Sequence, residues 1–358
     1  MAFKVPTLAE ISARIRGDIR REMPGTDALP FPNTLGVFQK VFAAAAFEVY
    51  LRLAYLYRQF FASTADAYHL ERHAYEYGMS RKPAIEAVGY IETTGDPDTV
   101  YPAGLSWRSA GETFTAATDA RSDENGAVRF RVVAETAGAA GNRDPGEEFQ
   151  FIDLALAPTL ATAATVDDAG IGGGADQESD DSLRARVLDR KRRPPQGGAT
   201  SDYEQIAMAI PGVRKAWAYS FAYGPGNVGV WFLFEGRAAG IPNPADVAIV
   251  AEEIEARRLI RVKLHVMAPR PQLVNVQVEG LAQDTVAVRA AIQESLAAMF
   301  ANRARPGVAA DPFRFSRSWI VEAIAQAVGE DQHRLLIPAG DIVISDGSIP
   351  VLGAIEYV

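Results

Sequence analysis

Gly170-Ile171-Gly172-Gly173-Gly174-Ala175-Asp176-Gln177-Glu178-Ser179-Asp180-Asp181-Ser182-Leu183-Arg184-Ala185-Arg186 opens the stretch, running on to Phe234, that decides the fold of this chain. A basic run follows, then Pro194-Pro195-Gln196-Gly197-Gly198, a second helical segment closed by Ile210-Pro211-Gly212-Val213, and two aromatic segments around Gly224-Pro225-Gly226-Asn227. Ser179 can cap a helix by accepting a bond from a free first-turn amide. Asp180 and Asp181 then sit at the positive end of its dipole, and Arg190, Lys191, Arg192 and Arg193 at the negative end. Pro194-Pro195 cannot continue that helix, and Gly197-Gly198 lets the backbone turn. Ser201 with Glu204 forms a capping box for the next helix, with Thr200 as the alternative cap. Residues 213–222 and 228–235 alternate like half-buried strands joined by a glycine-rich turn. The stretch therefore reads as a glycine hinge, a capped helix, a hard stop, a second capped helix and a hairpin.

This order of elements, with these residues, resembles the baseplate J-like family of contractile phage tails and related injection machines. The resemblance rests on Gly173 to Arg186, Pro194 to Gly198, Asp202-Tyr203, Pro211 to Val213 and Gly224 to Gly226. Ala199 departs from the pattern, which would place a threonine directly after the glycines. Outside these motifs the order of elements matches over nearly the whole chain, with weaker residue agreement.

The 358 residues exceed one compact core, so two to four domains are expected. A hydrophobic share of 48% with 23% charged residues describes a folded chain, not a disordered one. The absence of cysteine excludes disulfides and thiolate metal sites. The N-terminus lacks a secretory pattern, since Glu10, Arg14 and Arg16 interrupt it. No stretch approaches the roughly 20 apolar residues of a membrane span, the longest uncharged run of the second helix being Val41 to Phe47. Neither membrane nor nucleic-acid binding is expected. Of the net charge of −9, residues 81–180 hold −11, while residues 1–80 and 181–358 hold +1 each. That acidic middle would repel nucleic acid and favours solubility or basic protein partners.

Taken in order, the chain divides into four segments. The expected class is multidomain α+β: an N-terminal long-helix segment over 1–82, a small β domain over 83–168, an α+β domain over 169–270 holding the signature helices and hairpin, and a C-terminal α+β domain over 271–358. Thr7-Leu8-Ala9-Glu10 is a capping box, and Leu8, Ile11, Ile15 and Ile19 share a helical face. A second helix, capped at Asn33 or Thr34, is expected to run on to Tyr77-Gly78. Residues 35–77 hold 11 of the chain's 33 aromatics, spread over more than one face. A helix apolar most of the way round must be buried on most sides, and the short first helix covers only one strip. Phe38, Phe42, Phe47, Tyr50, Tyr57, Phe60 and Phe61 are therefore the candidate oligomer interface. Strands are expected at 88–94, 105–107, 128–133, 149–154 and 159–166. Later come a helix from Asn243-Pro244 to about 259, strands at 262–267 and 273–278, helices at 285–301 and 319–328, and closing strands at 342–345 and 354–358.

Each trace of chemistry has a blander explanation. Gly170-x-Gly172-x-x-Ala175 matches a loose dinucleotide fingerprint, but Asp176, Glu178, Asp180 and Asp181 would repel a pyrophosphate. Gly172, Gly173 and Gly174, with Gly197 and Gly198, are read instead as interdomain hinges. Asp176, Glu178 and Asp180 have calcium-loop spacing, but Asp181 stands where glycine is needed and Val187 where glutamate is needed. His69 and His73 are one helical turn apart, yet Leu70 follows the first histidine where a zinc protease needs glutamate. His265 and His333 lie far off. No Gly-x-Ser-x-Gly elbow and no phosphate loop is present. The expectation is no active site and no cofactor.

The resemblance implies a structural subunit of a baseplate wedge, linking wedges into a ring around the hub. Other copies of itself and other wedge proteins would be its partners, with hub or sheath proteins as further candidates. It would be assembled in the host bacterial cytoplasm and reside in the tail baseplate. The alternative is a tail-associated hydrolase or glycan-binding component, which would need paired carboxylates in a cleft of the β domain.

Overall fold

Thr7 accepts the Glu10 amide, and Glu10 answers the Thr7 amide at 2.8 Å, so the expected capping box starts helix α1 at Leu8–Glu22. The computed structural model describes residues 3–28, 33–222, 224–257 and 262–358. Helix α2, Thr34–Gln59, begins at Asn33, whose side chain accepts the Leu35 amide. Gln39 ties α2 to α1 by donating to the Ser12 carbonyl and hydroxyl at 2.9 and 2.8 Å. The single long helix expected over 35–77 is two helices. Thr64 donates to the Arg58 carbonyl at 2.6 Å, and the Asp66 amide donates to Gln59 at 2.8 Å, so the chain turns at 60–66. Hydroxyl and carboxylate side chains that bond local backbone compete with helix continuation. Asp66 then caps helix α3, Ala67–Glu76.

Helix α4, Asp180–Arg192, is the signature helix, and Ser179 accepts the Ser182 amide as expected. Its buried Leu183 and Val187 pack with Ala62, Ala65, Leu70 and Ala74. The chain accordingly resolves into two units, Met1–Arg81 with Ser179–Arg192, and Lys82–Glu178 with Arg193–Val358. The first boundary falls at Arg81, beside the expected 82, but the segment expected to begin at 169 does not hold α4, which supplies core to the N-terminal unit.

The second unit starts with the β domain, which is a closed barrel. Its strands are β1 Val88–Thr94, β3 Ser106–Ser109, β4 Glu112–Ala116, β6 Ala127–Ala134, β7 Glu148–Phe151 and β8 Ala163–Val166, in the order β1-β6-β4-β3-β7-β8. Short β2, Val100–Tyr101, and β5, Ala120–Arg121, form a separate ribbon. Strict alternation sends Ile91, Trp107, Phe114, Phe130, Val132, Phe149 and Phe151 inward. Trp107 lies 4.8 Å from Phe130, and Phe114 lies 4.7 Å from Phe149, between ring centres. A closed barrel has no edge strand to protect.

Helix α5, Thr200–Met208, the antiparallel hairpin β9 Val213–Ser220 and β10 Asn227–Phe234, helix α6 Pro244–Glu255 and strand β11 Lys263–Met267 form the next layer. β11 pairs parallel to β10, giving the order β11-β10-β9. The last part comprises β12 Arg270–Glu279, α7 Val286–Arg303, β13 Phe313–Phe315, α8 Arg317–Ala325, β14 Arg334–Ile337, β15 Ile342–Ile344 and β16 Ser348–Tyr357. Its main sheet runs β14-β12-β16, with α7 and α8 burying Ile292, Leu296, Phe300, Ile320 and Ile324 against it. Pro271, expected at a boundary, lies inside β12.

Because the Phe130 ring is fully buried against Tyr101 and Trp107, Phe130→Ala should cost about 3–5 kcal/mol in transfer and cavity terms. Guanidinium unfolding followed by tryptophan fluorescence would measure it. A loss under about 1 kcal/mol would mean a barrel interior loose enough to collapse around the gap.

Candidate functional site

Two features of the chain invite functional readings, the glycine segments of the signature stretch and the aromatic helix α2. The triplet Gly172-Gly173-Gly174 is buried, not a loose connector. Val88 and Gly172 exchange both backbone bonds, at 2.8 and 3.0 Å, as do Ile85 and Ala175, and Ile171 and Arg143. The Gly173 amide donates to Asp246 Oδ1 at 2.9 Å, and the Gly174 amide to Asn142 Oδ1 at 2.9 Å. Every amide from 171 to 175 therefore has an acceptor.

The glycines are required by close approach. A Cβ on Gly172 would stand 2.3 Å from Asp246 Oδ1, and one on Gly174 2.6 Å from the Gly138 carbonyl. The hinge expectation for Gly172, Gly173 and Gly174 is corrected: they form a packed seam between barrel and α6.

Asp246 is the centre of that seam. Its side chain is 0% exposed and that of Arg237 3%. Arg237 Nε donates to Asp246 Oδ2 at 2.7 Å, and its Nη2 donates to Oδ1 at 3.2 Å and to the Ile171 carbonyl at 2.7 Å. Asn243 caps α6, so Asp246 also accepts the Asn243 amide at 3.1 Å. The carboxylate thus takes four donors, which is what makes burial of its charge tolerable.

The Pro-Pro-x-Gly-Gly and Asp-Tyr motifs prove to be one device. Asp202 accepts the amides of Gln196 at 3.1 Å, Gly198 at 2.7 Å and Ala199 at 3.2 Å. Gly197 and Gly198 have φ of +77° and +130°, the region open mainly to glycine, and this turns the amides onto one carboxylate. These two glycines therefore shape a nest on Asp202, which corrects their reading as a free hinge. The helix cap is also corrected. Ala199 stands at the N-cap of α5, where Ser201 and Thr200 were expected, and Asp202, in place of Glu204, reaches back to accept the Ala199 amide. Burial works against the Asp202 charge, but the amides of Gly198, Gln196, Ala199 and Gly197 outweigh it and hold the carboxyl below its ordinary value.

The remaining candidates disperse. Asp66 accepts from Tyr55 at 2.7 Å and from the His69 amide, which with the His69 ring hold its carboxyl at about 2. The rings of His69 and His73 have separate acceptors, Asp66 Oδ1 at 2.7 Å and the Gln59 carbonyl at 2.9 Å. His265 meets Asn227, and His333 meets Glu330. Asp176 accepts the Ala139 amide, Glu178 the Lys82 amide and Asp180 the Arg81 guanidinium, so the three acids do not converge. No metal-holding group of three or more His, Asp or Glu occurs among the described residues. The barrel acids serve turns: Asp119 accepts the Ala103 amide, Asp123 those of Asn125 and Ala127, and Asp153 that of Ser106. A groove of about 540 Å³ beside Trp231, Val247, Ala251 and Met267 has Arg270 and Asp346 as its charged lining among the described residues.

Five of the seven proposed interface residues are exposed: Phe38, Phe42, Tyr57, Phe60 (79%) and Phe61. Phe47 and Tyr50 are half-buried. Val37, Val41, Val49, Leu53 and Leu56 extend the exposed apolar surface of α2. By length and composition alone α2 would pass for a membrane span, which corrects the expectation that no stretch approaches one. Lys40, Glu48 and Arg52 fall within the helix, and a charge at the bilayer centre costs about 2.5–3.5 kcal/mol on insertion scales.

Sequence reasoning missed Arg237, Asp246, Asn142 and Lys82. Of this region, only the helix start at Asn243-Pro244 was read from the residues.

Two outcomes follow. Asp246→Ala leaves the Arg237 guanidinium buried without its counter-charge and should destabilise the second unit by about 3–5 kcal/mol, measured by chemical unfolding. Asp202 contributes stability that is fully present above its unfolded pKa near 4 and declines as pH falls through its lowered folded value. Asp202→Asn should therefore be less stable at pH 7, with the deficit shrinking below about pH 4. A deficit independent of pH would separate the loop from the carboxylate's charge.

Family models match along the second unit: the baseplate J-like barrel domain over residues 90–173, the central domain over 195–268 and the C-terminal domain over 274–358. The chain is 32% identical over 370 residues to the Mu-like prophage FluMu protein gp47 of Haemophilus influenzae, covering 100% of both. It is 31% identical over 368 residues to the baseplate protein gp47 of Escherichia phage Mu, again covering 100% of both. A solved chain of the anti-feeding prophage baseplate, 12% identical, covers 95% of this chain and 90% of that one with a TM-score of 0.38, a likeness too slight to argue from. With barrel, seam, Asp202 nest and hairpin in the order its motifs imply, this chain belongs to the baseplate J-like family.

Proposed function

We propose that this protein is a structural subunit of the baseplate wedge in a contractile tail or tail-like particle. The α2 helix joins the chain to other copies of itself and to other wedge proteins, and the second unit links wedges into a ring around the hub. The observation that carries this reading is the exposed apolar surface of α2. That helix is about 39 Å long at 1.5 Å per residue, and only Ala43 and Gln59 are buried along it. Burying each large side chain contributes about 1.5–3 kcal/mol, so several left in water make the surface adhesive. The phage Mu relative named as a baseplate protein supports the structural role.

A hydrolase reading would need carboxylates paired across a cleft, whereas Asp119, Asp123 and Asp153 of the barrel each accept turn amides. No described group favours it.

Deleting residues 1–81 would strip Leu183 and Val187 of their packing, so point changes make the cleaner test. Val41 and Phe42 are both more than half exposed, and Val41→Glu with Phe42→Glu should leave the fold intact. Wild-type chain should self-associate in light scattering, or dissolve well only with a wedge partner. The double variant should be monodisperse and should fail to enter particles in a complementation assay. Wild-type chain that is monomeric at high concentration, together with normal particles from the variant, would refute the interface.

A further inference from the structure

The three peptide links by which the chain passes between its two units are each flanked by residues held to opposite units. Arg81 is bound within the first unit, donating to Glu71 at 2.8 Å and to Asp180 at 2.6 Å. The next residue, Lys82, is bound within the second. Its ammonium donates to the carbonyls of Met208, Ile210 and Val213 at 3.1–3.3 Å, where α5 ends, and its amide donates to Glu178.

The return crossing repeats the arrangement. Glu178 exchanges its bonds with Lys82 in the second unit, while Ser179 caps α4 in the first. At the third link α4 ends at Arg192. Arg193 is then held in the second unit by Glu204 at 2.6 Å and by Gln205, whose side chain donates to the Arg193 carbonyl.

The second unit is itself closed to bending. The Asp246 seam ties barrel to α6, and a second latch ties β9 to the C-terminal part. There Tyr219 donates to the Pro306 carbonyl and accepts from Arg305, and Lys215 caps the last carbonyls of α7.

We infer that conformational change in this protein is rotation of two rigid bodies about the links 81/82, 178/179 and 192/193, and that the barrel, central and C-terminal domains move as one. Clamps on both sides confine the backbone change to a few dihedrals at each crossing, which is what a hinge residue must absorb. Lys82 is the key positioning residue, since its ammonium fixes where the first crossing ends.

The chain contains no cysteine, so paired labels can be placed cleanly for electron–electron distance measurement in the full-length protein, spin-diluted with unlabelled chain. Labels at exposed Glu124 and Ala290 span the barrel and the C-terminal part, and one at Arg72 reports the first unit. The 124–290 distribution should be narrow, and the 72–124 distribution at least about twice as wide. Lys82→Gln should widen 72–124 further without changing 124–290, and Arg81→Gln should do the same should the first variant fold poorly. A broad 124–290 distribution, or a 72–124 distribution equally narrow in all three proteins, would overturn the inference.

Discussion

A carboxylate buried without solvent must find its donors inside the protein, and Asp246 finds four. Much of the second unit depends on that requirement. The Gly173 amide comes from the barrel's last segment, the Asn243 amide from the α6 cap, and the guanidinium from Arg237 in the loop after β10. The glycine segment and the stretch 237–246, 73 positions apart at Gly173 and Asp246, are therefore committed to one geometry. Breaking such a pair costs more than the pair itself contributes, because the remaining charge is stranded. That asymmetry makes it a specificity device as much as a source of stability.

The same logic recurs at smaller scale. Asp202 gathers the amides of a glycine loop, Lys82 gathers the carbonyls at the end of α5, and Arg143 donates to the carbonyls of Ser109, Ala140 and Asn142 beside the barrel core. In each case one charged side chain satisfies backbone groups that no ladder reaches. Such groups are costly when buried unpaired. The motifs of the signature stretch thus supply what irregular backbone requires.

The N-terminal unit is built differently. Its small core of Ala62, Ala65, Leu70, Ala74, Leu183 and Val187 leaves α2 apolar and exposed over most of its length. A surface of that kind suits a chain whose partners complete its fold. Charged side chains within α2 set it apart from an ordinary membrane span.

Local rules were legible in the residues alone. The capping box at Thr7, the helix start at Asn243-Pro244, alternation along β1 and β6, and the hairpin around Gly224 depend on neighbours within a few positions, and the structure has them all. The family was legible because its motifs are local too. What the sequence could not show was which side of a glycine faces what. Gly172 reads the same in a free linker as in a seam where a Cβ would strike Asp246. Nor could it show that the residues of 60–66 break one long helix in two, or that α4 belongs with α3 and not with the helix that follows it. These outcomes turn on contacts between residues far apart in sequence, such as Arg81 with Asp180, 99 positions away, and Lys82 with Val213, 131 positions away. Local propensity carries no information about such contacts; only packing in three dimensions selects them.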